Sequence, residues 1–533
     1  MKYKIENLKI NIDTLLDDSF ETIVAKKLHL KPEKMGHLQI LRRSLDARFH
    51  QSSGIFYVYQ LTFDYPFDIK RKGVIPIHSV EESDENFSFP YFPSAEIHPV
   101  IIGTGPAGLF AALRLLDYGI PSILIEQGKP LEQRNQDVER FWENGALQPY
   151  SNIQFGMGGA GTFSDGKLRS RIKSNHVHYV LEKLVTSGAD PKIRYENKPH
   201  IGTDRFKPII QNIQQVLIAG GCEFHFETRL TELVIEHHRI TGIVLNGNEK
   251  IKCSTLILAI GNSARETFEL LERQHVALAA KPFAVGIRIE HEQSLIDQYT
   301  YGKYCGHPLL ESAEYQLTFH DQSTGRHVYS FCNCPGGYVI GASSEPNALA
   351  INGMSDSSRN GRNANSALVV NVTNNDFPST TPLGGMLFQH ELERQTFALG
   401  GGGFIAPVMY VGDFLGRNTA SVVTGTIKPG FCERNIRECL PTFVSNSLAN
   451  ALETFTSQIK GFDTGLMTAT ETRTSSPVRI LRDKETMQIL NTAGLYPIGE
   501  GSGYAGVIMS CALDGIKVAD LLAQHNQPTP EAL

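Results

Sequence analysis

The stretch VIIGTGPAGLFAALRLLDYGIPSILIEQG at 100–128 constrains the fold more than any other part of the chain. An apolar run meets a glycine turn and then a segment whose apolar residues, Leu109, Ala112, Leu113 and Leu116, fall on one helical face. A second apolar run, SILIEQG, follows at once, so the pattern opens a βαβ unit. Gly103, Gly105 and Gly108 form G-x-G-x-x-G where strand hands over to helix. Gly103 permits the tight turn, Gly105 lets the backbone approach a pyrophosphate, and Gly108 lets helix and strand pack closely while the helix N-terminus stabilises the anion. Glu126 ends the next strand, 18 residues beyond Gly108, where a carboxylate accepts hydrogen bonds from an adenosine ribose and repels a 2'-phosphate. The stretch predicts a dinucleotide grip, one that serves NAD and FAD alike.

A chain of 533 residues is long for one core and implies two or three packed units. Residues 1–95 read as a separate small unit, with strand-like YKIENLKINI and IFYVYQLTFDY flanking LRRSLDARF, and with SVEESDENFSFPYFPSAEIHP as a linker. The basic RKG and LRRSLDAR either touch a phosphate or form a solvated face. Residues 96–274 hold the first segment of the dinucleotide domain. Within it, STLILAIGNSARETFELL supplies a further strand that reaches Gly261, and GCEFHFETRLTELVIEHHRITGIVLNGNEKIKC supplies a small antiparallel insertion. Residues 275–470 alternate strands and glycines, as a substrate-side domain would. Residues 471–533, with LYPIGEGSGYAGVIMSCALDGIKVADLLAQHN, return to strand, glycine turn and helix and close the dinucleotide domain. The fold class expected is therefore α/β: a Rossmann-like domain of discontinuous sequence, a mixed α+β substrate domain and a small N-terminal α+β domain.

Charged residues make up 20% of the chain with a formal net charge of -6, which argues against a nucleic-acid partner, although a local basic patch stays open. The N-terminus lacks the basic, apolar and small-residue pattern of a secretory leader, and no run reaches membrane-spanning length, so the expectation is a cytoplasmic protein. Eight cysteines, none before Cys222, show no dense disulfide spacing and are expected to be reduced. No heptad or interface stripe is recognisable, which leaves a monomer or weak homodimer.

The chain resembles the large flavoprotein superfamily with a glutathione-reductase-type FAD domain. More narrowly, it resembles a bacterial family of uncharacterised FAD-dependent dehydrogenases with an extra N-terminal domain. The stretches that carry this are VIIGTGPAGLFAA, SNIQFGMGGAGTFSDGKLRSRI, HIGTDRF, CNCPGGYVI, ETRTSSPVRI and GLYPIGEGSGYAG. The resemblance implies FAD, with Gly103, Gly105, Pro106, Ala107, Gly108, Glu126, Gln127 and Arg134 at the adenosine and pyrophosphate end. It also places Gly158, Gly159, Ala160, Gly161 and Thr162 beside the pyrophosphate, ribityl chain and ring, with Ser164, Asp165 and Lys167 near the ring. Four glycines within 156–161 would themselves expose amides to an anion or flat ring, or form a mobile loop. Lys167 either balances the charge of a reduced flavin or pairs with Asp165. Gly261, Gly499 and Glu500 are assigned to the cofactor, Glu500 on the ribityl side. Tyr504, Ala505, Gly506 and Val507, at the start of the last helix, would offer amides to the flavin pyrimidine carbonyl. The narrower family usually has glycine where this chain has Val507.

The chemistry beyond the cofactor is less specific. The chain lacks the C-x(4)-C pair of disulfide reductases and a second nucleotide fingerprint; ALGGGGFIAP at 398–407 reads better as a tight turn than as an NAD site. Cys332 and Cys334 in YSFCNCPGGYVIGA are candidate catalytic residues: a C-x-C can form a strained disulfide or join His307 or His320 at a metal, or the two can be packed, flavin-adjacent thiols. No metal is expected. Arg473 and Arg479, beside Glu471, either recognise a carboxylate or form a salt-bridged rim between domains. Tyr338 and Tyr504 are either a stacking wall or core.

The expected function is that of an FAD-dependent dehydrogenase passing hydride between a small-molecule substrate and flavin N5, with NAD(P)+, oxygen or another acceptor completing the cycle. The alternatives are an NAD(P)H-dependent flavin reductase or monooxygenase with transient NAD(P)H docking, and an FAD-containing RNA- or protein-binding module that uses LRRSLDAR.

Overall fold

A computed structural model of the protein describes residues 1–48, 54–71, 73–77, 98–168, 172, 174–417 and 423–525. Most of the linker expected at 79–99, and Lys72 of RKG, lie outside them.

The N-terminal unit is a four-stranded antiparallel sheet in the order Gly36–Asp46, Phe56–Asp64, Lys2–Asn11, Val74–Ile77. Alternation in the first strand sends Tyr3, Ile5, Leu8 and Ile10 inward, against Ile23, Val24 and Leu28 of helix Phe20–Leu28. Ser19 caps that helix by accepting from the Thr22 amide at 3.3 Å. LRRSLDARF is for the most part strand, and Arg42 and Arg48 are exposed, as a solvated face requires, with Arg48 bonded to Asp46 at 2.8 and 3.0 Å. Arg43 donates to Glu196, Arg42 to Asn197, and the Arg43 backbone bonds with Tyr195 and Asn197 at 2.7 and 2.8 Å. Arg42 and Arg43 thus also seat this unit against residues 195–197. Ile12 and Ile55 enter the core of the substrate-side unit, and Tyr57 Oη donates to the Leu309 carbonyl at 2.7 Å.

The dinucleotide sheet is parallel throughout, in the order Leu495–Pro497, Leu256–Leu258, Val100–Ile102, Ile123–Ile125, Glu223–His225. Val100 sits opposite both Leu256 and Ile123, and Leu256 opposite Leu495, so the strands end level and their following loops meet on one edge. One face is covered by helices Pro106–Asp117 and Ile508–His525, which approach closely: a side chain at Gly515 would overlap the Ala107 carbonyl. The antiparallel insertion is a three-stranded sheet, Leu230–Glu236, Arg239–Leu245 and Glu249–Lys252.

The substrate-side unit is built on a mostly antiparallel sheet whose centre is Phe283–Glu292, flanked by Asn363–Val372 and Leu466–Glu471. Leu466–Glu471 runs one residue past position 470. Arg326–Gly341 pairs with Asn363–Val372 and with the short Ile351–Met354. Phe283–Glu292 is buried over nine of its ten residues, yet those nine include Arg288, Glu290 and His291. The glycines at 400–403 turn helix Gly384–Leu399 into strand Ala406–Tyr410, so ALGGGGFIAP has the order opposite to a nucleotide fingerprint. Among the described residues, no helix is long and apolar enough to cross a membrane.

Candidate functional site

The level strand ends and the substrate-side sheet line one continuous cleft, part of it open to solvent. Its first wall is the turn after Val100–Ile102. Gly103 adopts φ +104° against the Ala259 carbonyl, where a side chain would overlap, and Pro106 opens the helix at a position whose N–H has no intrahelical partner. Gly105 and Gly159 cross so closely that a Cβ on Gly159 would lie 2.8 Å from the Gly105 Cα. Gly103, Gly105, Pro106, Ala107, Glu126, Gln127, Gly159, Ala160, Gly161 and Gly261 all line this part of the cleft. Bare backbone over much of that wall leaves room for an anionic ligand.

Glu126 faces the cleft and also ties it together. Its Oε2 accepts from the Thr104 amide at 3.0 Å and hydroxyl at 2.8 Å, and its Oε1 from the Gly128 and Gly156 amides, both at 2.9 Å. Arg134 does not reach the cleft. It is fully buried and donates to the carbonyls of Asn152, Ile153 and Met157 at 2.8 Å each and of Gly156 at 3.3 Å. Its work is to hold the loop 152–157, because no other donor among the described residues reaches the carbonyls of that loop at 152, 153 and 157. Gly108, Gly158 and Thr162 also sit behind the wall. Gly108 packs on the Gly103 carbonyl, and Gly158 donates to the Thr104 carbonyl at 3.1 Å.

The closing segment contributes less than its pattern suggests. Gly499 faces away, its amide on Asp514 at 2.8 Å and its Cα against Ala107. Glu500 faces the cleft with a single protein donor, Asn262 Nδ2 at 3.1 Å, and burial pushes its carboxyl up to about 8. Gly506 and Val507 line the cleft, but their amides donate to Ser510 Oγ at 3.2 and 3.1 Å and are not free for a ring carbonyl. Ala505 packs against the helix core, while Tyr504 is 42% exposed and lies under the cations of Arg479 and Arg482. Tyr338 is likewise outside the cleft and directs its hydroxyl at Asp356.

Charged and sulfur-bearing groups gather at the other end. Ser164, Asp165, Lys167, Cys332, Glu471 and Arg473 line the cleft there, with Cys334 buried behind Cys332. Ser164 Oγ donates to the Gly161 carbonyl at 2.8 Å, which shapes the loop into Asp165. Asp165 is held by Arg359 and Ser355; burial opposes its charge, and Arg359 and Lys167 outweigh burial and lower its pKa. Lys167 stands 3.9 Å from Asp165 and 3.4 Å from Glu314 and donates to the Asn333 carbonyl. It therefore does pair with Asp165 while facing the cleft. Arg473 is committed: Nε and Nη2 bind Glu393 at 2.9 and 3.0 Å and Nη1 binds Ser344 at 2.6 Å, so no free fork remains for a carboxylate. Glu393 also takes Arg265, which makes this ion network a strut between the units.

Arg288 and Asn365 are functional candidates that sequence reasoning missed. The Arg288 guanidinium is fully buried, 3.2 Å from Glu471 Oε1, 2.7 Å from Asn365 Oδ1 and 3.3 Å from Cys334 Sγ. Burial pushes the Glu471 carboxyl up to about 7 against the pull of Arg288. A lone cation inside FAVGIRIEHE was the available signal. Among the described residues, no group of three or more His, Cys, Asp or Glu side chains could hold a metal ion. His307 pairs with Asp13 and His320 stacks on His327.

A cofactor with phosphates, hydroxyls and a flat ring suits these donors: glycine backbone at one end, the half-buried carboxyl of Glu500 with its one donor, Asn262, midway, and a cation at the other end. A parallel dinucleotide sheet closed by a C-terminal strand and roofed by a second sheet defines a Rossmann-like FAD-binding fold with added substrate-side and N-terminal domains. Residues 282–474 match the family model described as "FAD-dependent protein, C-terminal domain-like", and residues 2–64 match a domain of unknown function, DUF8436. A protein of Clostridium beijerinckii described as "Uncharacterized protein" is 41% identical over 535 residues, 98% of each chain. The chain belongs to the family of that protein, and its residues 282–474 match a domain of FAD-dependent proteins. Among solved structures, similarity extends to L-proline dehydrogenase from P. horikoshii at 11% identity over 82% of this chain and 96% of that one, TM-score 0.39. It also extends to the flavin-dependent brominase Bmp2 at 11% over 81% and 79%, TM-score 0.38, and to CtdE in complex with FAD at 12% over 80% and 84%, TM-score 0.32.

Proposed function

We propose that the cleft holds FAD in the glutathione-reductase manner, adenosine toward Glu126 and ring toward Lys167, and that the enzyme passes hydride between a small organic substrate and flavin N5. The observation that carries this reading is the continuity of the cleft: the glycine turns of the parallel sheet and the Lys167, Cys332 and Glu471 side chains open on one space. Bound FAD supplies two-electron acceptance, which none of the side chains here offers at carbon.

The residues of the chain do the rest. Lys167 places a fixed cation at the ring end, where negative charge would be stabilised in a site partly shielded from water. Glu500, protonated at neutral pH, offers an O–H as well as an acceptor to a hydroxyl-bearing ligand. Glu471, with its carboxyl near 7, can give or take a proton beside the substrate, its position set by Arg288. Arg473 orients this wall through Glu393 rather than by touching substrate.

The test is an anaerobic absorption spectrum of flavin-loaded protein after separate additions of NADH, NADPH and a metabolite panel. Bleaching by a metabolite alone supports the dehydrogenase reading and names its donor. Bleaching by NAD(P)H would replace it with the reductase or monooxygenase reading, and failure to retain any flavin would overturn the cofactor assignment.

A further inference from the structure

Strand Arg326–Gly341 breaks register at two points: Phe331 pairs with Ala367, Cys334 with Asn365 and Gly337 with Asn363, so one extra residue is inserted on each side of Cys334, the first of them between Phe331 and Cys334. Cys332 occupies that bulge with φ +48°, a left-handed conformation that a side-chain-bearing residue adopts at a cost. Cys332 lines the cleft there, and Cys334 is fully buried behind it, its thiol donating to the Cys332 carbonyl at 3.5 Å. Two cations converge on the pair. Arg288 Nη2 lies 3.3 Å from Cys334 Sγ and 2.5 Å from the Cys332 carbonyl, and Lys167 donates to the carbonyl of Asn333 between them. Neither thiol has a metal site or a disulfide partner among the described residues.

We propose that Cys332 and Cys334 form a redox-active dithiol opening on the cleft, Cys332 the attacking sulfur and Cys334 the resolving one, with a small organic disulfide as its substrate class. The Cys334 thiol, Arg288 and Lys167 together draw the Cys332 thiol below its ordinary range, which favours the nucleophilic thiolate on the accessible member. Cys332 is only half-buried but lies within a cleft, which admits a small disulfide and shuts out one carried on a folded protein.

In the exchange, the Cys332 thiolate attacks one substrate sulfur. The substrate S–S bond breaks, a mixed disulfide forms, and the first substrate thiolate leaves and takes up the proton lost by Cys332. Cys334 then gives up its proton and attacks the Cys332 sulfur. The mixed disulfide breaks, the Cys332–Cys334 bond forms, and the second substrate thiolate departs with that proton. Two electrons pass from the cysteine pair to the substrate, and a small thiol in excess returns the pair to its reduced form by the same steps reversed. Only side chains of this chain take part, so the inference goes beyond the flavin reading and stands or falls apart from it.

The probe is the aromatic disulfide 5,5'-dithiobis(2-nitrobenzoate), added to full-length protein in a C305S background because Cys305 is exposed. With both sulfurs present, the fast phase releases about two equivalents of thionitrobenzoate, and the peptide containing 332 and 334 loses two hydrogens and carries no adduct. C334S releases about one equivalent and keeps the adduct on Cys332, while C332S reacts at least about tenfold more slowly at this peptide. A fast phase that maps elsewhere, or adducts retained on both cysteines of the unsubstituted pair, overturns the proposal. The peptide mass of the unsubstituted pair decides the matter even if a serine variant does not fold.

Discussion

Arg134→Met tests how the glycine loop of the cleft is held. The methionine keeps an unbranched stem of similar length, so the change removes the donors and the charge and little of the packing. Four carbonyls lose the guanidinium, but that of Gly156 keeps the Gly159 amide at 2.9 Å, which leaves those of Asn152, Ile153 and Met157 buried without a donor. At about 1–3 kcal/mol per orphaned group the loss is about 3–9 kcal/mol, and release of a buried cation returns several. The net expectation is about 1–5 kcal/mol of destabilisation. Trp142 is the only tryptophan of the chain; it sits on the same helix as Arg134 and edge-on to Phe163, 6.0 Å between ring centres. Urea unfolding followed by its emission therefore reports the region directly, and flavin retained after gel filtration reports the cleft. A loss under about 1 kcal/mol with full flavin retention would show that other donors or water satisfy these carbonyls, and the account of the loop would be wrong.

Other perturbations probe the remaining walls. Gly159→Ala places a Cβ 2.8 Å from the Gly105 Cα at φ +62°, so FAD affinity by fluorescence titration is expected to fall at least about tenfold; unchanged affinity would remove the two-loop cradle from the cofactor site. Glu500 ionises near 4.5 when unfolded and about 8 when buried in the cofactor-free fold, so its stabilising contribution is full below about 4.5 and drains as pH rises to about 8. E500Q should flatten the melting temperature of cofactor-free protein across that window, and parallel curves for the two proteins would refute it. Glu393→Gln leaves Arg473 buried without its carboxylate, while Arg265 keeps Glu345 at 2.6 Å, and is expected to cost about 3–5 kcal/mol in chemical denaturation. Glu393 is held down to about 2 by those arginines against burial, so the wild-type advantage should shrink as pH falls from about 4.5 toward 2.

The sequence is most legible where the backbone leaves few choices. The turn at Gly103 admits only a residue tolerant of φ +104° and free of a Cβ, so strand, turn and helix can be read from a dozen residues, and the closing strand repeats the pattern. Arg134 is opaque for the opposite reason. Its partners are backbone carbonyls, which any sequence carries, so nothing in the residue types marks them. Arg288 stands out as a charge in a buried strand, but Glu471 lies 183 residues away. The face presented by Cys332 depends on a bulge that strand periodicity does not reveal. Ser510, three residues past Val507, is a local capping signal that goes unread when the amides before it are assigned to a ligand.

The parallel sheet has a temporal consequence. Strand Leu495–Pro497 pairs with Leu256–Leu258, which pairs with Val100–Ile102, and about 390 residues of chain separate the first partner synthesised from the last. At about 5–20 residues per second, roughly 20 to 80 s of translation pass during which the nascent sheet keeps one edge of Leu256–Leu258 unpaired or is not yet built. The N-terminal unit, whose own sheet and core lie within residues 2–77, can fold before its partners at 195–197 and 309 are made. The nucleotide cleft cannot be completed until Glu500 has emerged, so ligand capture follows the synthesis of the closing segment.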